Sequence, residues 1–330
     1  MRLLKWLLII IGVLTIIYFV GPNPETPEYR SELPQVPANA AELVNYIKAK
    51  ESRRKIKKDN QARIVWADDS AKSKTKYSIV YLHGFSASQG EGMPVHTNIA
   101  RKFGCNLYLS RLAEHGIDTT DQMVKLTPEK YWESAQEAFR IGQQLGEEVI
   151  LMGTSTGGTL ALMLASRYPG IKALVLMSPN IMINDPNAWL LNNPWGLQIA
   201  RTVLGSDEVI PKDDRAIYRQ YWNSPYRIEA VVALQEMLET SMNEETFQKV
   251  KQPSLVMYYY KDEVHQDSVV RVAAIKDMFS KLGTPDNQKK AVAMPNAGDH
   301  VMGSFIKSKD LEGVEREIEN FLLTLGLTKK

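Results

Sequence analysis

The stretch VILMGTSTGGTLALMLA, residues 149–165, confines the fold more than any other part of the chain. Glu148 to Met152 is largely β-branched and apolar, as in a strand buried on both faces. Thr156 to Arg167 has no proline and is rich in Ala, Leu and Met, which favours a helix. Ser155 alone must turn one into the other, with Gly153 and Gly157 two positions to either side. So tight a turn strains its central residue and needs small neighbours, so that strand and helix can pack closely. It leaves Ser155 Oγ at the carboxyl end of the strand, above a helix amino terminus. The free N–H groups and positive dipole end found there suit a developing anion.

From Arg63 onward the same strand–helix rhythm repeats. Strands are predicted at 62–66, 76–84, 105–111, 172–178, 254–260 and 290–295, with helices near 93–104, 127–146, 268–282 and 311–325. The second of these helices opens with Thr127 as cap and Pro128 at its first position. Repeated units of this kind imply an α/β fold whose sheet is mostly parallel and covered on both faces. Sites then collect at the carboxyl ends of strands, where Ser155 falls. About 75 residues separate strands 172–178 and 254–260, too many for one crossover. Their apolar residues have helical spacing, so they are read as an inserted helical cap over about 181–227, followed by a crossover helix near 228–240.

The 330 residues allow one large domain with appendages. A net charge of +2 argues against nucleic-acid binding driven by global charge. The single cysteine, Cys105, lies in an apolar run and reads as a buried thiol, so no internal disulfide and no cysteine-based metal site is expected. No phosphate loop, dinucleotide fingerprint or metal-ligand cluster occurs, and no cofactor or metal is expected.

Residues 1–20 place Arg2 and Lys5 ahead of an uncharged run from Trp6 to Val20, and read as a transmembrane signal anchor outside the globular body. Basic residues before the span and Glu25, Glu28 and Glu32 after it put the body on the non-cytoplasmic side. Cleavage as a signal peptide, giving a secreted or periplasmic chain, is the alternative. Residues 21–61 follow as a spacer and a basic helix. Five prolines between Gly21 and Pro37 suggest an extended, semi-rigid segment, and the basic run KAKESRRKIKK a solvated face or a contact with anionic headgroups. The main globular domain is expected over 62–330.

A serine nucleophile needs a base, and the base needs an orienting carboxylate. Of the five histidines, His96 falls within a predicted helix and His83 ends a strand ahead of Gly84 and Phe85. His115, His265 and His300 remain. His300 follows the last strand in a short polar loop and is the expected base. Asp262, two residues past the penultimate strand, is the expected acid, with Glu263 and Asp267 as rivals in the same loop; His265 stands too near Asp262 to span to Ser155. The N–H groups of Thr156 and Phe85 are the expected oxyanion donors.

The order Ser155, Asp262, His300 is that of the α/β-hydrolase arrangement. Four segments carry the resemblance to that superfamily: YLHGF (81–85), GTSTG (153–157), YKDEV (260–264) and GDHV (298–301). It covers roughly 62–326 and is weakest in the cap. With RLAEHG (111–116), the chain is most similar to serine carboxylesterases and monoacylglycerol-lipase-like members, although Glu114 stands where glycine is common. The resemblance implies an α/β-hydrolase fold and an ester-cleaving serine enzyme. Thioesterase, peptidase or acyltransferase chemistry on the same triad, or a non-catalytic binding protein, are the alternatives. Met182, Trp189, Leu190, Leu191, Trp195 and Leu197 crowd the cap, and one apolar cap face is expected to border the Ser155 cleft. The expected substrate is a small neutral ester or monoacylglycerol-like lipid.

Overall fold

In the computed structural model, which describes residues 2–330, the alternation becomes one central sheet. Strands β1 (Arg63–Val65), β2 (Thr75–Leu82), β3 (Asn106–Leu109), β4 (Gly146–Thr154) and β5 (Ile171–Met177) come first. A two-stranded ribbon in the cap, β6 (Glu208–Val209) with β7 (Tyr226–Arg227), stands apart; β8 (Ser254–Tyr258) and β9 (Lys289–Ala293) complete the sheet. The sheet order is β1-β3-β2-β4-β5-β8-β9, with β1 antiparallel to β3 and every other pair parallel.

The central strands read as continuous apolar runs because helices cover both faces. Val80, Leu82, Leu151, Leu174 and Val256 face one core. It is closed by α4 (Pro128–Leu145), α5 (Thr156–Arg167), α8 (Ile228–Ser241), α9 (Glu244–Lys249) and α10 (Val272–Lys281). The alternate positions Ile79, Tyr81, Ile150, Met152 and Val175 face the other, under α3 (Val95–Lys102) and α11 (Leu311–Thr324). This period of two puts β2, β4 and β5 in one register. Leu82, Thr154 and Met177 therefore end at a common edge. Thr127 caps α4, its hydroxyl accepting from the Lys130 N–H, with Pro128 next, as expected. Cys105 is buried.

The amino-terminal region departs from its expected independence. Helix α1 (Arg2–Phe19) has no buried residue, whereas the proline-rich spacer is extended but docked. The Arg30 carbonyl accepts from Trp132 Nε1 at 2.6 Å and from Gln136 Nε2 at 2.9 Å, and the Ser31 carbonyl accepts from the Tyr168 hydroxyl at 2.7 Å. Helix α2 (Ala40–Glu51), capped by Asn39, buries Leu43 and Ile47 in the α4-side core. Glu51 at its end receives a bidentate pair from Arg111 at 2.8 and 2.9 Å. Spacer and α2 thus pack as part of the globular body, across the expected boundary at residue 62.

The cap lies between β5 and α8 as expected. It holds one 3-10 turn (Ala188–Leu190), α6 (Gly196–Leu204), the β6–β7 ribbon and α7 (Ala216–Tyr221).

Candidate active site

Ser155 adopts φ 53° and ψ −121°, a strained left-handed conformation between β4 and α5. The surroundings hold it there. Its N–H donates to the Met177 carbonyl at 2.9 Å, and its carbonyl accepts from the N–H groups of Gly158 and Asn180 at 2.8 and 3.0 Å. A Cβ on Gly157 would run into the Leu82 carbonyl, and one on Gly153 into the Gly157 backbone. Both glycines are therefore needed for the strand, helix and β2 to meet this closely.

His300 lies in the loop after β9 and is 8% exposed, and Asp267, in the loop after β8, is 1% exposed. His300 Nδ1 and Asp267 Oδ2 are 2.7 Å apart. The other oxygen, Oδ1, accepts from the Val269 and Val270 N–H groups at 2.9 and 3.0 Å. Burial disfavours charge on both groups, but their mutual attraction outweighs it: Asp267 is held below the ordinary carboxyl value and His300 above the ordinary imidazole value. Glu91 and Asp299 add smaller contributions in the same direction for His300.

Asp262 is not the partner of His300. Tyr260 bridges Gln266, and the Lys261 N–H donates to the His265 carbonyl, so residues 260–266 fold out as a small protruding hairpin. Asp262 closes its tip, accepting from the Val264 and His265 N–H groups and lying 2.9 Å from His265 Nδ1, with its side chain 49% exposed. Beyond the hairpin the chain returns to the sheet edge, where the Asp267 N–H donates to the Tyr259 carbonyl at 3.0 Å. Position 267, not 262, adjoins the strand end in space.

The turn after β2 is fixed at nearly every donor. The Gly84 N–H donates to Glu91 Oε2 at 2.5 Å, the Ser86 N–H to His115 Nε2 at 3.1 Å and the Ala87 N–H to the Gly84 carbonyl at 3.3 Å. Among the described residues, the intervening Phe85 N–H has no such partner, and neither has the Thr156 N–H at the start of α5. His83 Nε2 accepts from the Leu112 N–H at 3.0 Å, and His115 is fully buried beside Tyr131. Burial pushes the His83 imidazole down to about 4 and His115 well below its usual value. Both act as neutral struts of this turn.

Glu91 had no place in the sequence reading. Its carboxylate is 2% exposed and lines the same cleft as Ser155 and His300. Burial pushes it up to about 7, although the Gly84 N–H opposes the shift.

These groups share a cleft of about 490 Å³. Its apolar wall comes from Phe85, Ile183, Tyr218, Trp222, Tyr226 and Leu234. Met182, Trp189, Leu190, Leu191, Trp195 and Leu197 do not line it, and Trp189 is 53% exposed. Apart from Ile183, the cap's contribution comes instead from its later half, whose Tyr221 and Trp222 form a cluster with Ala87 and Val301. Lys307 at the cleft edge pairs with Asp213 at 2.9 Å, a carboxylate it shares with Arg215 at 2.6 Å. No cluster of metal-ligating side chains occurs among the described residues.

The fold is shared with solved lipolytic enzymes. A structure reported for the metagenome-derived lipolytic enzymes LipS and LipT superposes with a TM-score of 0.66 at 17% identity, covering 82% of this chain and 100% of that one. A monoacylglycerol lipase from Paleococcus ferrophilus gives 0.57 at 14% identity, over 80% and 98% of the two chains. Est1E from Butyrivibrio proteoclasticus, bound to ferulic acid, gives 0.55 at 19%, over 80% and 94%. No curated protein sequence matches the chain. The Hydrolase_4 family model, described as serine aminopeptidase, S33, matches residues 129–295, just over half of the chain. That span holds Ser155 and Asp267, and His300 lies just beyond it. By this match and by its sheet, the chain belongs to the Hydrolase_4 family of α/β-hydrolases.

Proposed function

We propose that the chain is a membrane-anchored serine hydrolase that cleaves carboxylic esters through an acyl-enzyme. The observation that carries this reading is the strained Ser155 sharing one cleft with His300, whose Nδ1 is bonded to the buried Asp267. Ser155 Oγ attacks the acyl carbonyl while His300 Nε2 takes its proton and passes it to the departing alkoxide. Water, deprotonated by the same nitrogen, then releases the acid and restores the serine. Asp267 keeps Nδ1 protonated and stabilises the imidazolium. The Phe85 and Thr156 N–H groups receive the oxyanion, an interaction worth about 2.7–4 kcal/mol per donor in enzymes of this kind. The aromatic wall favours a neutral acyl ester or a monoacylglycerol-like lipid, in keeping with the lipolytic fold neighbours. The anchor is α1, long and apolar enough to span, with the body on the non-cytoplasmic side.

A fluorophosphonate probe, followed by an ester panel, tests the chemistry. Wild type should be labelled and Ser155→Ala should be neither labelled nor active. Turnover of aminoacyl anilides in place of esters would replace this reading with a peptidase. Sequencing the amino terminus of the membrane-fraction protein tests the anchor; a chain starting past Ala40 would make α1 a cleaved signal.

A further inference from the structure

The end of α1 packs against the cap. Trp195 Nε1 donates to the Ile17 carbonyl at 2.9 Å, and the Trp195 N–H donates to the Pro22 carbonyl at 2.9 Å. Leu14, Ile17 and Tyr18 share an apolar groove of about 510 Å³ with Ile199 and Val203 of α6. The one charged residue of α6, Arg201, is half-buried and paired with Asp207 at 2.8 Å and Glu229 at 2.7 Å. One side of α6 is bare: Ile199 is 40%, Val203 79% and Leu204 55% exposed, and beyond the helix Ile210 is 72% exposed. So many large apolar side chains on one edge serve no packing purpose in the body. The next residue, Pro211, lines the Ser155 cleft, so the bare edge runs to the cleft mouth.

We propose that this cap edge, from Ile199 to Ile210, lies in the surface of the bilayer that holds α1, and that lipid substrate enters the Ser155 cleft from the bilayer past Ile210. The inference rests on the anchor reading, and geometry then does the rest. Leu14 is five residues before the end of α1, so at about 1.5 Å per residue the groove reaches roughly 7 Å below the helix end. That matches the roughly 5–10 Å depth at which amphipathic interfacial helices sit. Tyr18 and Trp195 meet at this level, as amphipathic aromatic residues do at a headgroup boundary. The pairing of Arg201 with Asp207 and Glu229 leaves no unpaired charge of α6 itself to be dragged into lipid.

The test uses the full chain in phosphatidylcholine nanodiscs, with nitroxide labels on Ile10→Cys, Val203→Cys and Glu147→Cys; the buried Cys105 stays unlabelled. Ile10 and Val203 labels should collide with oxygen and be shielded from a water-soluble nickel complex, and the exposed Glu147 label should do the reverse. An aqueous Val203 label with a lipid-embedded Ile10 label would overturn the inference and leave the anchor standing. An aqueous Ile10 label would bring down both. A Val203 label shielded from both reagents and broadened by a second label would assign the edge to another copy of this chain, and the inference would fall. In parallel, Val203→Glu combined with Leu204→Glu should lower kcat/KM on the order of tenfold for monoacylglycerol held in the bilayer. It should leave a water-soluble butyrate ester unaffected, which also reports that the variant is folded. Equal losses on both substrates would refute entry from the lipid.

Discussion

Asp267 Oδ2 lies 2.7 Å from His300 Nδ1, and neither side chain has appreciable access to water. Two backbone N–H groups bind the other carboxylate oxygen, so the aspartate cannot rotate to offer His300 anything but an acceptor. Asn at 267 would keep the shape but present an amide donor or a neutral oxygen, which spoils both the tautomer and the stabilised cation. Asp267→Asn should lower kcat by about 10⁴-fold. Asp262→Asn, at the exposed hairpin tip, should stay within a few-fold of wild type. Steady-state kinetics of the two variants decide it; the reverse pattern would return the acid to Asp262.

The same pair fixes the pH dependence. In the proposed mechanism His300 must be neutral to accept the Ser155 proton, and its imidazole is raised above the ordinary 6.5 because Asp267 outweighs the burial that opposes charging. The acidic limb of kcat/KM should therefore turn over above pH 6.5. A limb centred below that value would mean that Asp267 does not hold the cation in solution.

Much of this was readable from residue order alone. The strand–glycine–serine–glycine–helix unit specifies the elbow because only one backbone path joins two buried elements at one residue, and the cleft it borders also holds His300, in the expected loop after the last strand. The carboxylate bonded to His300 is Asp267 and not Asp262, because distance along that loop is not distance from the sheet. The Tyr260–Gln266 bridge cancels five residues of that loop, and no periodicity marks so short a hairpin. Glu91 was silent for a related reason: a lone glutamate in a glycine-rich turn looks solvated until β2 and the turn close over it. The spacer misled through its prolines, which predict extension correctly but say nothing about what the extended chain lies against.

Glu91 makes a stability prediction. Its folded value of about 7 lies above the ordinary 4.5, chiefly through burial, so the native state binds the proton more tightly than the unfolded one. The stability it contributes is fully present below about pH 4.5 and is lost as pH rises through about 7. Glu91→Gln keeps an oxygen for the Gly84 N–H and cannot ionise. The variant should match wild type near pH 4.5 and exceed it at pH 8, by about 3 kcal/mol at most. Denaturant melts at the two pH values check this, and a gap that does not grow with pH would show Glu91 to be ordinarily solvated.

Truncation separates anchor from clamp. Deleting residues 1–21 removes α1 and its contact with Trp195 and α6 at the edge of the cap but nothing from the two sheet-facing cores, and the remaining chain should melt close to the temperature of the full chain. Deleting 1–37 also removes Tyr29, Leu33 and Val36 from the core surface, orphans Trp132 Nε1, and takes the Arg30 acceptor from Gln136 Nε2, which keeps only the Tyr168 hydroxyl. At roughly 1 kcal/mol per lost hydrogen bond plus the apolar area, the second deletion should cost about 3 kcal/mol or more. Equal melting temperatures for the two deletions would mean that the docked spacer adds nothing.

The last prediction concerns acyl length. The cleft beside Ser155 holds about 490 Å³, and Leu234 is 4% exposed where it lines the wall. Each methylene transferred from water into such a wall is worth about 0.8 kcal/mol before ordering costs, nearly fourfold in kcat/KM if it is equally well packed in the transition state. Rates on p-nitrophenyl esters should therefore climb from acetyl through the medium chains and level off once the cavity is full. Leu234→Trp fills part of the same space, so its profile should level off at a shorter chain while the acetyl rate stays near wild type. This second arm distinguishes a pocket from simple detergent-like partitioning of longer esters, which would raise both profiles alike. A flat or falling wild-type profile beyond acetyl would remove the apolar acyl pocket while leaving Ser155, His300 and Asp267 in place.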